Sequence, residues 1–173
     1  VPASVKKKLS DSDYNTIEQS ELDFIIVCGW RTLIKPTVND FLKIGMIAAH
    51  DSILPAYRGF APLNWSIING EKETGVTLFI INEGETDSGD MVLQKKVSIG
   101  DTEYADDVYQ KVIDATNSAY LEMIELYNTS GKLETIKQND ELATYTCKRT
   151  PDDGKINWSD SSTSVFNLIR ALA

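Results

Sequence analysis

The sequence predicts an α/β fold with an open, mostly parallel sheet, and three adjacent segments carry this prediction. Residues 22–29, LDFIIVCG, form a nearly continuous apolar run, which is typical of a strand buried on both faces of a parallel sheet. Residues 35–45, KPTVNDFLKIG, place apolar side chains at helical spacing and end in a glycine. A second apolar run, MIAA, then leads to His50. Two buried strands joined by a short helix form a βαβ unit, the basis of an open α/β sheet.

Further along the chain, periodicity predicts three helices and two strands. A short helix should begin near Pro62 and end at Gly70, and VTLFIIN and MVLQKKVSI should be strands on either side of the acidic loop EGETDSGD. A long helix should lie between Tyr104 and Gly131, and a last helix should cover residues 162–171. The apolar side chains of the long helix recur in steps of three and four and should pack against the sheet: Val108, Val112, Ala115, Ala119, Met123 and Leu126.

Length and composition indicate one soluble domain. The chain has 173 residues, of which 42% are hydrophobic and 25% are charged, so residues 1–173 suit a single domain with a sizeable core. The polar segment 1–21 suits a linker or a helix. There is neither a secretory pattern nor an apolar run of the roughly 20 residues that span a bilayer, so we expect a cytoplasmic protein. The net charge of −9 disfavours a large nucleic-acid partner.

The single histidine of the sequence, His50, directly follows a predicted strand. In open α/β sheets, ligands bind beyond the carboxyl ends of the strands, so His50 should emerge where ligands bind. The acidic loop can reach the same edge with Glu83, Glu85, Asp87 and Asp90. A histidine held by a carboxylate is a general acid–base pair. The residues alone therefore predict a histidine–carboxylate site and leave the carboxylate open.

Other chemistries are less well supported. A nucleophilic triad through Ser52 is disfavoured, because side chains two positions apart seldom meet productively and no GxSxG elbow is present. One histidine with scattered carboxylates matches no zinc or iron pattern, so we expect no metal. Neither a GxGxxG nor a GxxxxGK[ST] phosphate loop occurs.

Residues 50–90, HDSILPAYRGFAPLNWSIINGEKETGVTLFIINEGETDSGD, resemble the signature of the formyltransferases that use 10-formyltetrahydrofolate. That family includes methionyl-tRNA formyltransferase and amino-sugar N-formyltransferases. Its pattern joins a histidine to SLLPxYRG, PxxW, NGxxxTGVT and a DxGD loop, and each block occurs here in order, with Ile53 for the first leucine. The likeness extends over residues 22–173. It implies a Rossmann-like sheet of the formyltransferase type that lacks the family's first strands.

The resemblance also implies the reaction and its residues. The reaction is formyl transfer from 10-formyltetrahydrofolate to a primary amine, with His50 and Asp87 as the acid/base and oxyanion-stabilising pair. The acceptor is either methionyl-tRNA, which the charge disfavours, or a nucleotide-linked amino sugar. Two loops that hold the folate pterin in relatives imply folate contacts here from Trp30, Thr32, Leu33, Ile34, Glu83, Gly84 and Glu85.

Two departures from the family pattern matter. The family's catalytic asparagine stands two residues before the histidine, where this sequence has Ala48. Three explanations of this difference compete: another donor replaces the asparagine, the acceptor geometry differs, or the activity is lost. A non-catalytic folate-binding module and a 10-formyltetrahydrofolate hydrolase are therefore the alternative functions. The chain also resembles a fragment that is incomplete at both ends, which leaves the strand in residues 22–27 with an open edge. We therefore expect homodimer contacts or a marginally stable fragment.

Overall fold

The computed structural model describes residues 7–30, 32, 34–83 and 86–173. Within these ranges the chain forms four α-helices and six β-strands, with 3₁₀ segments at Pro36–Phe41, Asp140–Leu142 and Pro151–Gly154. In chain order the elements are α1 (Asp11–Glu18), β1 (Phe24–Val27), β2 (Gly45–His50), β3 (Arg58–Gly59), α2 (Pro62–Ile68), β4 (Glu73–Ile80), β5 (Met91–Ser98), α3 (Ala105–Ser130), β6 (Tyr145–Thr146) and α4 (Ser162–Arg170). The predicted helices and strands are all present, with ends that agree within a few residues.

Four strands form the main sheet in the order β1-β2-β4-β5, and β3 pairs with β6 in a separate two-stranded ribbon. The α/β class is therefore confirmed, but the expectation of a mostly parallel sheet does not hold for these strands. Only β1 and β2 are parallel, whereas β2–β4 and β4–β5 are antiparallel. For β4 and β5 the physical reason is the connection, because they are joined by a loop too short for the crossover that parallel neighbours need.

The long helix α3 covers one face of the sheet. Its buried residues pack on alternate side chains of β2 and β4, in a core cluster of Ile47, Val76, Leu78, Ala119 and Met123. Leu126 continues the predicted stripe but is 51% exposed. The 26 residues of α3 rise about 39 Å, whereas the eight residues of β5 extend about 27 Å. The helix therefore runs past the sheet before it ends at Gly131, which has a positive φ of 70°.

The opposite face of β2 is covered near its start and open near its end. Val38, Leu42 and Met46 form a buried cluster there, onto which Tyr14 and Ile17 of α1 pack. Side chains alternate along a strand, so the positions that follow Met46 on this face are Ala48 and His50. Within the described residues, the helix and the buried cluster that cover this face lie near the start of β2.

The first strand is less buried than the sequence predicts. It was expected to be covered on both faces, but Ile26 is 39% exposed. Among the described strands β1 pairs with β2 alone, so it lies at the edge of the sheet. An apolar run thus indicates a strand, but it does not show how many neighbours the strand has.

None of the helices described here is long and apolar enough to cross a membrane.

Candidate active site

His50 is the last residue of β2, and its imidazole is fixed from one side by the backbone. Its side chain is 9% exposed, and its Nε2 lies 2.8 Å from the carbonyl oxygen of Tyr57. A carbonyl only accepts hydrogen bonds, so Nε2 carries the hydrogen and donates it. The ring also makes an edge contact with Phe79, with the centroids 6.5 Å apart. In the neutral ring the free lone pair is therefore on Nδ1, which becomes the nitrogen available for proton transfer.

Asp87 lies opposite that nitrogen. Its Oδ2 is 3.5 Å from His50 Nδ1, which is too long for a good hydrogen bond but close enough for strong attraction once the imidazole is protonated. The same oxygen accepts a hydrogen bond of 2.9 Å from the backbone amide of Gly59. Asp87 itself has a φ of 53°, a left-handed conformation that aspartate and asparagine adopt more readily than most residues. The carboxylate is thus held in place by its own backbone turn and by the 58–59 strand.

A cavity of about 370 Å³ opens beside this pair, a volume at the lower end of those that bind small molecules. Asp87 is one of the lining residues, whereas His50, whose side chain is 9% exposed, is not. The wall combines apolar side chains with a few polar ones: Val27, Gly29, Trp30, Ala48, Ala49, Phe79, Ile81, Asn82, Thr86 and Asp87. The site can therefore present a carboxylate to a bound molecule and keep a proton acceptor shielded from solvent.

Ala48 lies in the wall of the same cavity and on the same face of β2 as His50. Among the described lining residues, the side-chain amide is that of Asn82. The Ile81 amide bonds to the Met46 carbonyl at 2.8 Å, so the antiparallel register carries Asn82 toward the start of β2 and away from His50. Asn82 is therefore poorly placed to replace an amide at position 48.

The predicted folate-contact residues fall in different places. Trp30 lines the cavity, and its indole Nε1 is buried without a partner in the described part of the chain. Thr32 instead donates to the Lys7 carbonyl at 3.3 Å, and Ile34 packs against the cluster around Val38. Glu83 is exposed. The predicted contacts Leu33, Gly84 and Glu85 lie outside the described residues.

Arg58 and Gln138 form a hydrogen-bonded network that supports the loop containing Asp87. Arg58 is fully buried, and its Nε and Nη2 donate to Oε1 of Gln138 at 3.0 and 2.8 Å. The Gln138 Nε2 in turn donates to the carbonyls of Asp87 and Gly89. Arg58 was part of the quoted signature, but no sequence signal pointed to Gln138. Its only local feature is an ordinary polar stretch, and its partners are far away in the sequence.

A second carboxyl, that of Asp51, follows His50 directly but does not line the cavity. Burial raises its pKa, and the nearby His50 partly offsets this effect. Burial also raises the pKa of Tyr120 on α3 to about 12, with smaller contributions from Cys28 and Asp51. The phenol therefore stays protonated at neutral pH. In the part of the chain that the structure describes, no three His, Cys, Asp or Glu side chains are grouped to hold a metal ion.

Sequence comparison gives a consistent result. The family whose description is formyl transferase matches residues 4–124. Methionyl-tRNA formyltransferase of Thermodesulfovibrio yellowstonii is 36% identical over 171 residues, which are 98% of this chain and 54% of that protein. The corresponding protein of Clostridium acetobutylicum is 36% identical over 168 residues, 97% of this chain and 54% of its own length. The chain thus spans about half the length of the curated relatives it matches.

Solved structures agree with the sequence relatives. An N-formyltransferase from Helicobacter canadensis, in complex with folinic acid and dTDP-3-aminofucose, superposes with a TM-score of 0.70 at 27% identity, covering 84% of this chain and 53% of that one. The sugar 3N-formyltransferase WlaRD, solved with dTDP and 5-N-formyl-THF, gives a TM-score of 0.74 at 25% identity, covering 89% and 56%.

Proposed function

The chain belongs to the formyl transferase family, and from this premise we propose that it transfers the formyl group of 10-formyltetrahydrofolate to a primary amine. The observation that carries the proposal is the approach of Asp87 Oδ2 to within 3.5 Å of His50 Nδ1 at the wall of the cavity. An acid–base pair beside a ligand-sized cavity is what acyl transfer to an amine requires.

In the proposed reaction, the amine nitrogen attacks the formyl carbon, and the carbonyl oxygen becomes an oxyanion. The nitrogen then carries an extra proton, which His50 Nδ1 accepts. Asp87 stabilises the resulting imidazolium by attraction across the short gap between them. When the tetrahedral intermediate collapses, the bond to N10 of tetrahydrofolate breaks and His50 returns the proton to that nitrogen. The Tyr57 carbonyl keeps the ring in the required tautomer throughout.

The cavity wall suits a folate pterin, a flat ring with several donors and acceptors. Val27, Phe79 and Ile81 offer apolar contact, while Thr86 and Asp87 offer hydrogen-bonding groups. Trp30 adds a buried indole N–H that lacks a described partner, and a buried donor is costly unless a ligand or another group satisfies it. We therefore retain Trp30 and the 83–87 loop as the folate side of the site and assign Thr32 and Ile34 no contact with this cavity.

The acceptor amine is the finer part of the proposal. The two candidates are methionyl-tRNA, as named for the curated relatives, and a nucleotide-linked amino sugar, as named for the Helicobacter canadensis structure. A tRNA acceptor must give an affinity that falls steeply with salt, because each neutralised phosphate releases counterions. Assays with methionyl-tRNA and with dTDP-3-aminofucose, each at two salt concentrations, separate the candidates. Release of formate without an amine identifies the hydrolase alternative.

Calorimetric titration with 5-formyltetrahydrofolate, a stable isomer of the donor, tests the folate site. We expect binding to the wild-type chain and binding weaker by about 10- to 100-fold in Asp87→Asn, the usual loss when a charged hydrogen-bond partner is removed. Asparagine tolerates the left-handed φ at this position, so the variant changes charge with little effect on the backbone. Asp114→Asn, on the exposed side of α3, is the matched control. Equal affinities of the wild-type chain and both variants contradict the proposal that the folate binds beside Asp87.

Restoring the missing amide tests the role of Ala48. Because Ala48 shares a face of β2 with His50 and Asn82 points toward the other end of the cavity, we expect Ala48→Asn to raise the transfer rate by about 100-fold, in line with the cost of losing one oxyanion donor elsewhere. Ala48→Leu adds a side chain of similar size without a donor and should give no increase. An unchanged rate in Ala48→Asn indicates that a backbone amide already stabilises the oxyanion.

A further inference from the structure

We infer that Gln138 is a positioning residue for Asp87, an inference that rests on the function proposed for Asp87 above. Its side-chain Nε2 donates two hydrogen bonds into the Asp87 loop, at 2.8 Å to the Asp87 carbonyl and at 2.7 Å to the Gly89 carbonyl. Both hydrogens of the carboxamide are therefore used on one short turn. Gln138 is not among the described residues that line the cavity, so its hydrogen bonds connect it to the site through the Asp87 turn.

The backbone places Gln138 opposite this turn. Met91 and Ile136 exchange two backbone hydrogen bonds of 2.8 Å in an antiparallel bridge. Two residues farther along in each direction, the same register brings Gln138 beside Gly89. At Gly89 an added Cβ would lie 1.7 Å from the Ile80 carbonyl oxygen, so the loop is pressed against the end of β4. The turn is thus held between β4 and Gln138.

The orientation of the carboxamide is determined by Arg58. Gln138 Oε1 accepts from Arg58 Nε and Nη2, and Arg58 has only donors to offer. A flipped amide would place its NH₂ against the guanidinium and its oxygen against two carbonyls, so the observed assignment is the one that satisfies every group. Gln138 is 4% exposed, which leaves water little access to replace these bonds. A buried, fully satisfied amide of this kind fixes its partners firmly.

Gln138 supports the backbone conformation that places the Asp87 carboxylate near His50. Asp87 has a φ of 53°, a left-handed conformation that is unfavourable for residues other than glycine and therefore requires support from its surroundings. The hydrogen bond from the Gly59 amide to Oδ2 anchors the side chain, whereas Gln138 anchors the main chain of the same residue. Without Gln138, the carboxylate keeps its hydrogen bond from the Gly59 amide, but the turn that carries it loses two hydrogen bonds, so its position near His50 Nδ1 is less firmly fixed.

Two substitutions at position 138 separate positioning from folding. Gln138→Glu keeps the shape and the two acceptor bonds to Arg58 but removes the donors to the Asp87 loop. Gln138→Met removes the donors and the acceptor together. Because it introduces no buried charge, it provides a second test if Gln138→Glu fails to fold. Asn64→Ala is the matched control, because Asn64 also donates a partly buried carboxamide hydrogen bond, 2.7 Å to the Ala171 carbonyl, elsewhere in the fold. Thermal melting confirms that each variant is folded.

The decisive measurement is a double-mutant cycle with Asp87→Asn, read as affinity for 5-formyltetrahydrofolate. We expect Gln138→Glu to weaken binding by about tenfold in the wild-type background and by less than about twofold in the Asp87→Asn background, since groups that act through one another are not additive. A general structural role predicts equal losses in both backgrounds, and that result overturns the inference.

A second readout does not depend on folate at all. If Gln138 positions Asp87, the Gly59 amide is bonded to its Asp87 acceptor for a smaller fraction of the time in Gln138→Glu, so its hydrogen exchange is faster in that variant but not in Asn64→Ala. Unchanged exchange in Gln138→Glu overturns the inference whatever the activity. Faster exchange in Gln138→Glu, combined with no folate binding by the wild-type chain, supports the positioning of Asp87 by Gln138 and contradicts the proposed function. Failure of the inference and failure of the proposed function are therefore distinguishable.

Discussion

His50→Gln is expected to lower formyl transfer by about 10²- to 10⁴-fold, the usual contribution of a positioned general acid or base. The glutamine side chain can donate to the Tyr57 carbonyl in place of Nε2, so it preserves the hydrogen bond that holds the wild-type ring. It offers no nitrogen with a lone pair to Asp87 and therefore cannot take the proton of the attacking amine. The measurement is the rate of tetrahydrofolate formation from 10-formyltetrahydrofolate with a saturating acceptor, which also reports hydrolysis.

His50→Ala extends this comparison. It removes the donor to Tyr57 as well as the base, and a buried carbonyl that loses its partner costs about 1–3 kcal/mol of stability. We expect both variants to lose transfer equally, to remain folded and to bind 5-formyltetrahydrofolate. Turnover near the wild-type rate in His50→Gln, which is the better matched of the two, excludes His50 as the proton acceptor.

Arg58→Met is expected to reduce the free energy of unfolding by about 3 kcal/mol, the largest stability effect we expect from a single substitution in this site. Arg58 is fully buried, and its removal leaves Oε1 of Gln138 without either of its donors. The ion pair with Asp140 contributes less, because the Asp140 side chain is 67% exposed and exposed pairs are screened by water. Methionine fills much of the vacated volume, so the measured loss reports mainly the lost hydrogen bonds.

Urea unfolding followed by circular dichroism measures this loss. Lys96→Met is the matched control: it removes a cation paired with Glu73, but the two side chains are 62% and 56% exposed. We expect it to change the unfolding free energy by less than about 1 kcal/mol. If Arg58→Met and Lys96→Met are equally stable, the buried network contributes no more than a surface ion pair, and the account given for Arg58 is incorrect.

Local patterns predicted the elements of this fold well. The steps of three and four in α3, ended by Gly131, correctly gave a helix of residues 105–130, because an amphipathic stripe and a left-handed cap are recorded in adjacent residues. The emergence of His50 at the end of β2 was also predictable, since a short apolar run followed by polar residues marks a strand end. The burial of β1 was not, because it depends on which strands lie beside it.

The hydrogen bonds between Arg58 and Gln138 that support the site could not be predicted from the sequence, because they also depend on which distant segments lie side by side. Arg58 and Gln138 are 80 positions apart, and neither lies in a periodic segment that would orient it. Arg58 lies on β3, a strand of two residues, and Gln138 is brought into place by the isolated bridge between Met91 and Ile136, so neither segment is long enough to carry a pattern. The pairing of His50 with Asp87 was expected from family resemblance, whereas the residues alone left the carboxylate open among four.

The long sequence separation between Arg58 and Gln138 also has a consequence for how the protein is made. The sheet and α3 use contacts within residues 24–130, which emerge from the ribosome before residue 138 does. Nascent chains of that length can bury the main core while the Asp87 turn still lacks its support. Closing a loop of some 80 residues adds an entropic cost that grows only slowly with its length, but contacts of such long range form late in folding. The Asp87 turn should therefore become fixed only after the main core has compacted, as a separate and later step.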